Sequence, residues 1–401
     1  MKAVIEKSRA SGSVTAPPSK SVLHRMLICA ALSKEESVIK NAYYSEDILA
    51  TLDCLEKMGA RVEKGASSVK IGGLDPLNIP EGTVLPCRES GSTLRFLVPL
   101  ALLGGKRVTF EGSEKLFSRP LGVYEEIAQN GGFLFEKGAG RLTVCGKLSA
   151  GEYSVPGNVS SQFITGLLFA LPFCGESKIR LTTEIQSKSY VDITLSVMKK
   201  FGVSATWQNA GTLYLSSGQT FKAHDCTAEG DCSSAAFLDA FNFFGGSVFV
   251  GGLNAETLQG DRVYREHFEL LEKGTPVLDI ADCPDLAPIL MTVAAFKNGA
   301  RFKNTARLRM KESDRGEAMK KELSAFGAKI DVFENEIVVQ KTPLHSPERT
   351  LSSHNDHRVA MSLAVLSSVF GGEIEGTEAV SKSFPTFFEV IKNLGIRVDL
   401  I

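Results

Sequence analysis

Positive charge is not in surplus in this sequence: 45 Lys and Arg stand against 46 Asp and Glu, for a net charge of -1 over 401 residues. That argues against a generic nucleic-acid binder, which carries a basic excess, so any anion site must be local. No apolar run reaches the roughly 18–20 residues of a membrane span. The eight cysteines include no C-x-x-C pair, and several lie inside apolar helical patterns. They are expected to be reduced small core residues of a cytosolic protein. His24, His354 and His357 lack metal-ligand spacing, and neither a G-x-x-x-x-G-K-[ST] phosphate loop nor a dinucleotide fingerprint is present. The start M-K-A-V-I-E-K has no signal or transit character and reads as a strand.

What the chain does hold is repetition. Six segments put polar or charged residues at the mouth of an almost wholly apolar helix: 19–32, 90–103, 160–173, 231–244, 282–296 and 355–370. Between them runs an amphipathic series, each member ending in a helix-stop glycine: Gly59, Gly131, Gly202, Gly274, Gly327 and Gly395. An apolar residue lies four positions before each (Leu55, Ile127, Met198, Leu270, Leu323, Ile391), and the glycines are 72, 71, 72, 53 and 68 residues apart. The sequence therefore predicts six units of about 70 residues, each with one buried helix, one amphipathic helix and strands between. Two domains of three units is the simplest division.

Residues 1–18 read as a strand pair and a Pro17-Pro18 turn that precede the repeats. In the second unit, Ser118-Arg119-Pro120 is expected to open the amphipathic helix, with proline in its first turn. Residues 216–229 loosen into polar sequence and mark a crossover between domains, and the fifth unit is read as shortened.

A helix start has free N–H groups and the positive end of a dipole, worth roughly 0.3–1 kcal/mol to an exposed anion. Several starts here also carry a cation: Lys20, Arg25, Arg119, Arg315, Arg358 and Lys382. Such a site expects ligands bearing both phosphate and carboxylate. Asp285, Glu312, Asp314 and Asp356 occupy similar positions, and carboxylates that move protons among cations that hold charge suit a transfer between two anionic small molecules. Taken singly, each has a plainer reading: a solvated lysine, a structural ion pair for Arg315, a helix cap for Asp285. Their joint recurrence at equivalent positions favours function.

The motifs P-S-K-S-V-L-H-R, S-G-S-T-L-R, S-R-P, V-S-S-Q-F, S-K-S-Y-V-D-I-T, K-E-S-D-R, N-D-H-R-V-A-M and S-K-S-F-P run in order through nearly the whole chain. Together they resemble the enolpyruvylshikimate-phosphate synthases, the 3-phosphoshikimate 1-carboxyvinyltransferases. The resemblance implies an α/β (α+β) fold of two similar domains, each of three repeats with buried parallel helices surrounded by β-sheets. It implies a first domain of 1–19 plus 229–401 and a second of 20–228, with the active site in the cleft between them. It further implies transfer of the enolpyruvyl group of phosphoenolpyruvate to the 5-hydroxyl of shikimate 3-phosphate, with release of phosphate, no cofactor and no metal. A cytoplasmic monomer without nucleic-acid or membrane partners is expected.

By the same resemblance, shikimate 3-phosphate is expected at Lys20, Ser21, Arg25, Ser160, Ser161, Gln162, Ser187, Asp285 and Lys311. Phosphoenolpyruvate is expected at Lys20, Gly91, Arg119, Gln162, Arg315, Arg358 and Lys382. Asp285 would take the hydroxyl proton, and Glu312 with Lys382 or Lys20 would exchange protons at the methylene carbon. Three residues depart from the family pattern and bear on substrate affinity: Glu89 stands for the usual asparagine, Ser92 for a common threonine, and Arg307 for an asparagine that contacts the shikimate compound. Rival readings are an enolpyruvyl transferase acting on UDP-N-acetylglucosamine, an RNA-end phosphate cyclase of the same fold, and a non-catalytic ligand-binding paralogue. The second would want a basic surface, and the third would lack Asp285, Glu312 and Lys382.

Overall fold

The computed structural model describes residues 1–401. The chain divides into two compact units, Pro18–Glu229 and Met1–Pro17 with Gly230–Ile401. The division falls after Pro17 rather than after Ser19, and before Gly230 rather than before Glu229. Backbone hydrogen bonds explain this: the Ser19 N–H donates to Glu229 O at 2.7 Å inside one unit, and the Asp231 N–H donates to Pro17 O at 2.7 Å inside the other.

Each unit is built from the expected helix pairs. The buried helices of the Pro18–Glu229 unit are Lys20–Ala31, Gly91–Ala101 and Ser161–Ala170. Those of the other unit are Cys232–Ala240, Ala287–Phe296 and His357–Phe370. Their apolar residues point inward on every side, and Leu97, Phe163, Phe237, Leu290 and Leu363 are fully buried. Each such side chain contributes roughly 1.5–3 kcal/mol by leaving water. No helix is long and apolar enough to cross a membrane, and all eight cysteines are free, five of them buried.

Five of the six repeats carry one four-stranded sheet of common order, in which the first and second strands pair in parallel and two more strands, a hairpin in all but the sixth, add antiparallel beside the second. In the second repeat these are Thr83–Arg88, Val108–Gly112, Arg141–Cys145 and Leu134–Gly138. In the second, third, fifth and sixth repeats the buried helix makes the crossover between the parallel pair, so its N-terminus emerges beside the end of the first strand. This geometry puts those four polar helix mouths at the same edge of their repeats.

Several expectations change. The leader holds two strands, Lys2–Ile5 and Ser11–Thr15, but they do not pair with each other. The first lies between Gly372–Glu375 and Val398–Leu400 and completes the sixth repeat, while the second pairs in parallel with Ser247–Gly251 in the fourth. Within the loose stretch before the crossover, Cys226–Thr227 pairs with Ser37–Lys40 and completes the first repeat. The short spacing after Gly274 arises because the fourth repeat has no hairpin; the fifth keeps all four strands.

Helix ends also shift. Gly59 caps its helix at φ 114°, as expected, but the left-handed cap of Gly122–Gly131 is Gly132, and Gly274 is extended at φ 173°. In that fourth repeat Leu270 is exposed and Leu271 is buried, one position out of the predicted register. Pro120 lies between the short helix Glu114–Ser118 and Gly122–Gly131 rather than within a first turn.

Candidate active site

Lys20, Ser21, Arg25, Gly91, Arg119, Ser160, Ser161, Gln162 and Ser187 belong to the Pro18–Glu229 unit. Lys20 and Ser21 form the first turn of Lys20–Ala31, whose cap residue Ser19 makes no capping bond and keeps a buried hydroxyl without partner. Lys20 Nζ pairs with Asp47 Oδ2 at 2.7 Å. Arg25 is buried beneath: its Nε donates to Thr194 Oγ1 at 2.7 Å and its two terminal nitrogens to Ser21 O at 2.6 Å and Tyr190 O at 3.1 Å. Burial pushes the Arg25 guanidinium down to about 10, and its plane lies over the Phe96 ring at 5.1 Å. Ser187, the cap of Lys188–Lys200, is held in the left-handed region at φ 58°, a strained backbone for serine.

Gln162 sits at the mouth of Ser161–Ala170 with Ser160 as its cap. Its amide is fixed from both sides, accepting from an Arg95 NH group at 2.7 Å and donating to Ser92 Oγ at 3.0 Å. Ser92 thus supplies the hydroxyl that a threonine would. Gly91 and Arg119 are brought together, since a Cβ on Gly91 would lie 2.6 Å from an Arg119 terminal nitrogen. Arg119 Nε is buried without a partner. Substituting Gly91→Ala should therefore move the Arg119 guanidinium at small structural cost. The expected result is a displaced Arg119 side chain with an unchanged unfolding midpoint; an Arg119 left in place in the structure of the variant would show that the two do not touch.

Asp285, Lys311, Glu312, Arg315, Arg358 and Lys382 belong to the other unit. Asp285 does not cap Ala287–Phe296, whose cap residue is Leu286. It is instead the hub of a charge cluster: Oδ1 meets Arg315 at 2.7 Å and Lys311 Nζ at 3.2 Å, and Oδ2 meets Arg358 at 3.0 Å. Burial works against its ionised form, yet the charges of Arg358, Lys311 and Arg315 outweigh burial and hold the carboxyl well below the usual carboxylate range. Arg315 is fully buried and also pairs with Glu312 Oε2 at 2.8 Å and Asp356 Oδ2 at 2.8 Å. Desolvation pushes Lys311 down to about 8, with Asp285 opposing and Arg307 adding to the shift. The departure at Arg307 thus acts as an extra positive charge near Lys311. Lys382 Nζ donates to Asn355 O at 2.6 Å.

Asp314 and Asp356 turn out to be caps, accepting from Glu317 N at 3.2 Å and Arg358 N at 2.9 Å. The sequence reading missed Asp47, Arg95 and Thr194, which hold Lys20, Gln162 and Arg25. It also missed Asp261, buried in the short helix Gly260–Val263 and bonded by the Ser233 hydroxyl. Burial first, and then Asp285, push the Asp261 carboxyl up to about 7. These four residues lie 27 to 169 positions from the side chains they bond, so only the recurrence of acids near helix starts hinted at any of them.

Comparisons with known proteins give the family. The chain is 42% identical to a 3-phosphoshikimate 1-carboxyvinyltransferase of Clostridium kluyveri, over 98% of this chain and 97% of the relative. It is 40% identical to the enzyme of that name from Clostridium perfringens, over 98% of each. A solved EPSP synthase from Acinetobacter baumannii superposes with a TM-score of 0.79 at 22% identity, covering 100% of this chain and 99% of that one, which is a likeness of fold. The profile of the EPSP synthase (3-phosphoshikimate 1-carboxyvinyltransferase) family matches residues 4–391, and the chain belongs to that family.

Proposed function

We propose that this protein transfers the enolpyruvyl group of phosphoenolpyruvate to the 5-hydroxyl of shikimate 3-phosphate in the shikimate pathway, toward chorismate and the aromatic amino acids. The observation that carries the reading beyond family membership is the Asp285 cluster: one part-buried carboxylate held by Lys311, Arg315 and Arg358. Shikimate 3-phosphate takes Lys20, Ser21, Arg25, Ser160, Ser161, Gln162, Ser187, Asp285 and Lys311. Phosphoenolpyruvate takes Lys20, Gly91, Arg119, Gln162, Arg315, Arg358 and Lys382. We read the protein as a cytoplasmic monomer that works without nucleic acid or membrane.

Held by three cations, Asp285 is a poor base. When the phosphate and carboxylate of phosphoenolpyruvate draw Arg315 and Arg358 to themselves, that restraint loosens and the carboxylate becomes able to take a proton. The 5-hydroxyl oxygen then bonds to C2 of phosphoenolpyruvate as its proton passes to Asp285, and C3 takes a proton from Glu312 or a lysine, Lys382 or Lys20. The resulting tetrahedral intermediate loses a C3 proton back to that group. The C2–O bond to phosphate breaks, and inorganic phosphate leaves with the electron pair. The surrounding arginines and lysines stabilise the charge that develops on phosphate.

Phosphate release is the direct test, measured with phosphoenolpyruvate and shikimate 3-phosphate beside a parallel reaction with UDP-N-acetylglucosamine. Release with the shikimate compound alone supports the reading. Release with the nucleotide sugar alone replaces the acceptor, and silence in both favours a binding protein.

Lys311 supplies a pH test. Because its ammonium is pushed down to about 8, the free protein loses that charge as pH rises through that value. The KM for shikimate 3-phosphate should then climb about ten-fold per pH unit, while Lys311→Arg should stay flat to higher pH. A KM that is level from pH 7 to about 9.5 would show that the charge on Lys311 is not used.

A further inference from the structure

Between the strand Leu351–Ser352 and the helix His357–Phe370 the backbone passes through two successive left-handed residues, His354 at φ 52° and Asn355 at φ 54°. Each such residue is strained, asparagine less so, and persists only where its surroundings hold it. The holding group is Glu322, fully buried on the amphipathic helix Arg315–Ser324. Its Oε1 lies 2.8 Å from His354 Nε2, and its Oε2 accepts from Arg349 at 2.7 Å and from the Ser352 N–H at 3.1 Å. Inside the turn, His354 N donates to Ser352 Oγ and Asn355 N to Ser353 Oγ, both at 3.1 Å.

This turn has two outputs. The Asn355 carbonyl, aimed by the left-handed pair, accepts from Lys382 Nζ at 2.6 Å. Asp356, the next residue, caps His357–Phe370 and takes Arg315 at 2.8 Å. Arg315 opens the very helix whose last turn carries Glu322, so one helix fixes both ends of the arrangement. A carboxylate with no exposed surface near the end of an amphipathic helix is costly unless paired, and here its partners all belong to the segment that presents Lys382 with an acceptor.

We propose that Glu322 and His354 are a positioning pair for the transfer reaction: without touching either substrate, they hold the Asn355 carbonyl where it sets the place of the Lys382 ammonium. The proposal rests on the reading of Lys382 as a phosphoenolpyruvate ligand.

The test uses His354 rather than Glu322, because His354 keeps a quarter of its side chain exposed and its loss does not strand a buried charge. Steady-state kinetics of the full chain are compared for His354→Ala, His354→Gln, Lys382→Ala and the double variant His354→Ala/Lys382→Ala. Expected are a KM for phosphoenolpyruvate raised about ten-fold by His354→Ala, a KM for shikimate 3-phosphate changed less than about two-fold, and recovery in His354→Gln, whose amide can still donate to Glu322. In the Lys382→Ala background, His354→Ala should add nothing. Equal changes in both KM values, or effects that multiply in the double variant, overturn the positioning pair while leaving Lys382 a ligand. A wild-type KM for phosphoenolpyruvate in Lys382→Ala overturns the reading of Lys382 itself.

Discussion

Replacing Asp285 by asparagine is expected to lower kcat by on the order of 10²–10⁴, the range for losing a positioned general base. Affinity for phosphoenolpyruvate should hold or improve. Asparagine fills the same space but removes the negative charge that now engages Lys311, Arg315 and Arg358, so those cations are freer to meet phosphate and carboxylate. Single-turnover rates and equilibrium binding of phosphoenolpyruvate separate the two effects. A fall in kcat of less than about ten-fold would assign the proton to another group, and weaker binding would mean that Asp285 is itself a required contact.

Arg315→Met should have the largest effect on the fold. The guanidinium is fully buried and meets Asp285, Glu312 and Asp356 at 2.7, 2.8 and 2.8 Å, and removing one partner of a buried charge cluster costs about 3–5 kcal/mol. The sign of the pH dependence follows from the depressed Asp285 carboxyl. In the native protein its contribution is present above the unfolded carboxylate value, about 3.9, and is lost as pH falls through the lower folded value. With Arg315 gone the folded carboxyls rise, so the deficit should be greatest near neutrality and shrink as acid protonates them. Urea midpoints at pH 7.5 and about pH 3 check this. A deficit equal at both pH values would identify lost packing rather than stranded charge. Use of phosphoenolpyruvate should fall beyond measurement at the same time.

Much of this was legible in the chain because its signals are local. The period of buried and amphipathic helices, the capping Ser90, Ser160 and Asp231, and the helix-stop Gly59 all act within a few residues of one another. Clusters such as S-K-S-V-L-H-R likewise place hydroxyls and cations on one helix mouth by spacing alone. The register slip at Leu270 and Leu271 marks where that local logic weakens. There the helix ends at an extended glycine and no hairpin follows to fix the face.

Helical periodicity and capping are written in neighbours, so the six-fold repeat, the buried helices and the positions at which charge gathers are readable along the chain. Only the tertiary structure decided which strand closes which sheet and which acid meets which base. Ala3 pairs with Ile374, and Cys226 with Ile39; Arg315 finds Asp285 and Asp356 from 30 and 41 positions away. A hydrogen-bond ladder or an ion pair between distant segments leaves no periodic trace in either one. Such contacts are selected when the core packs and each buried polar group must find a partner.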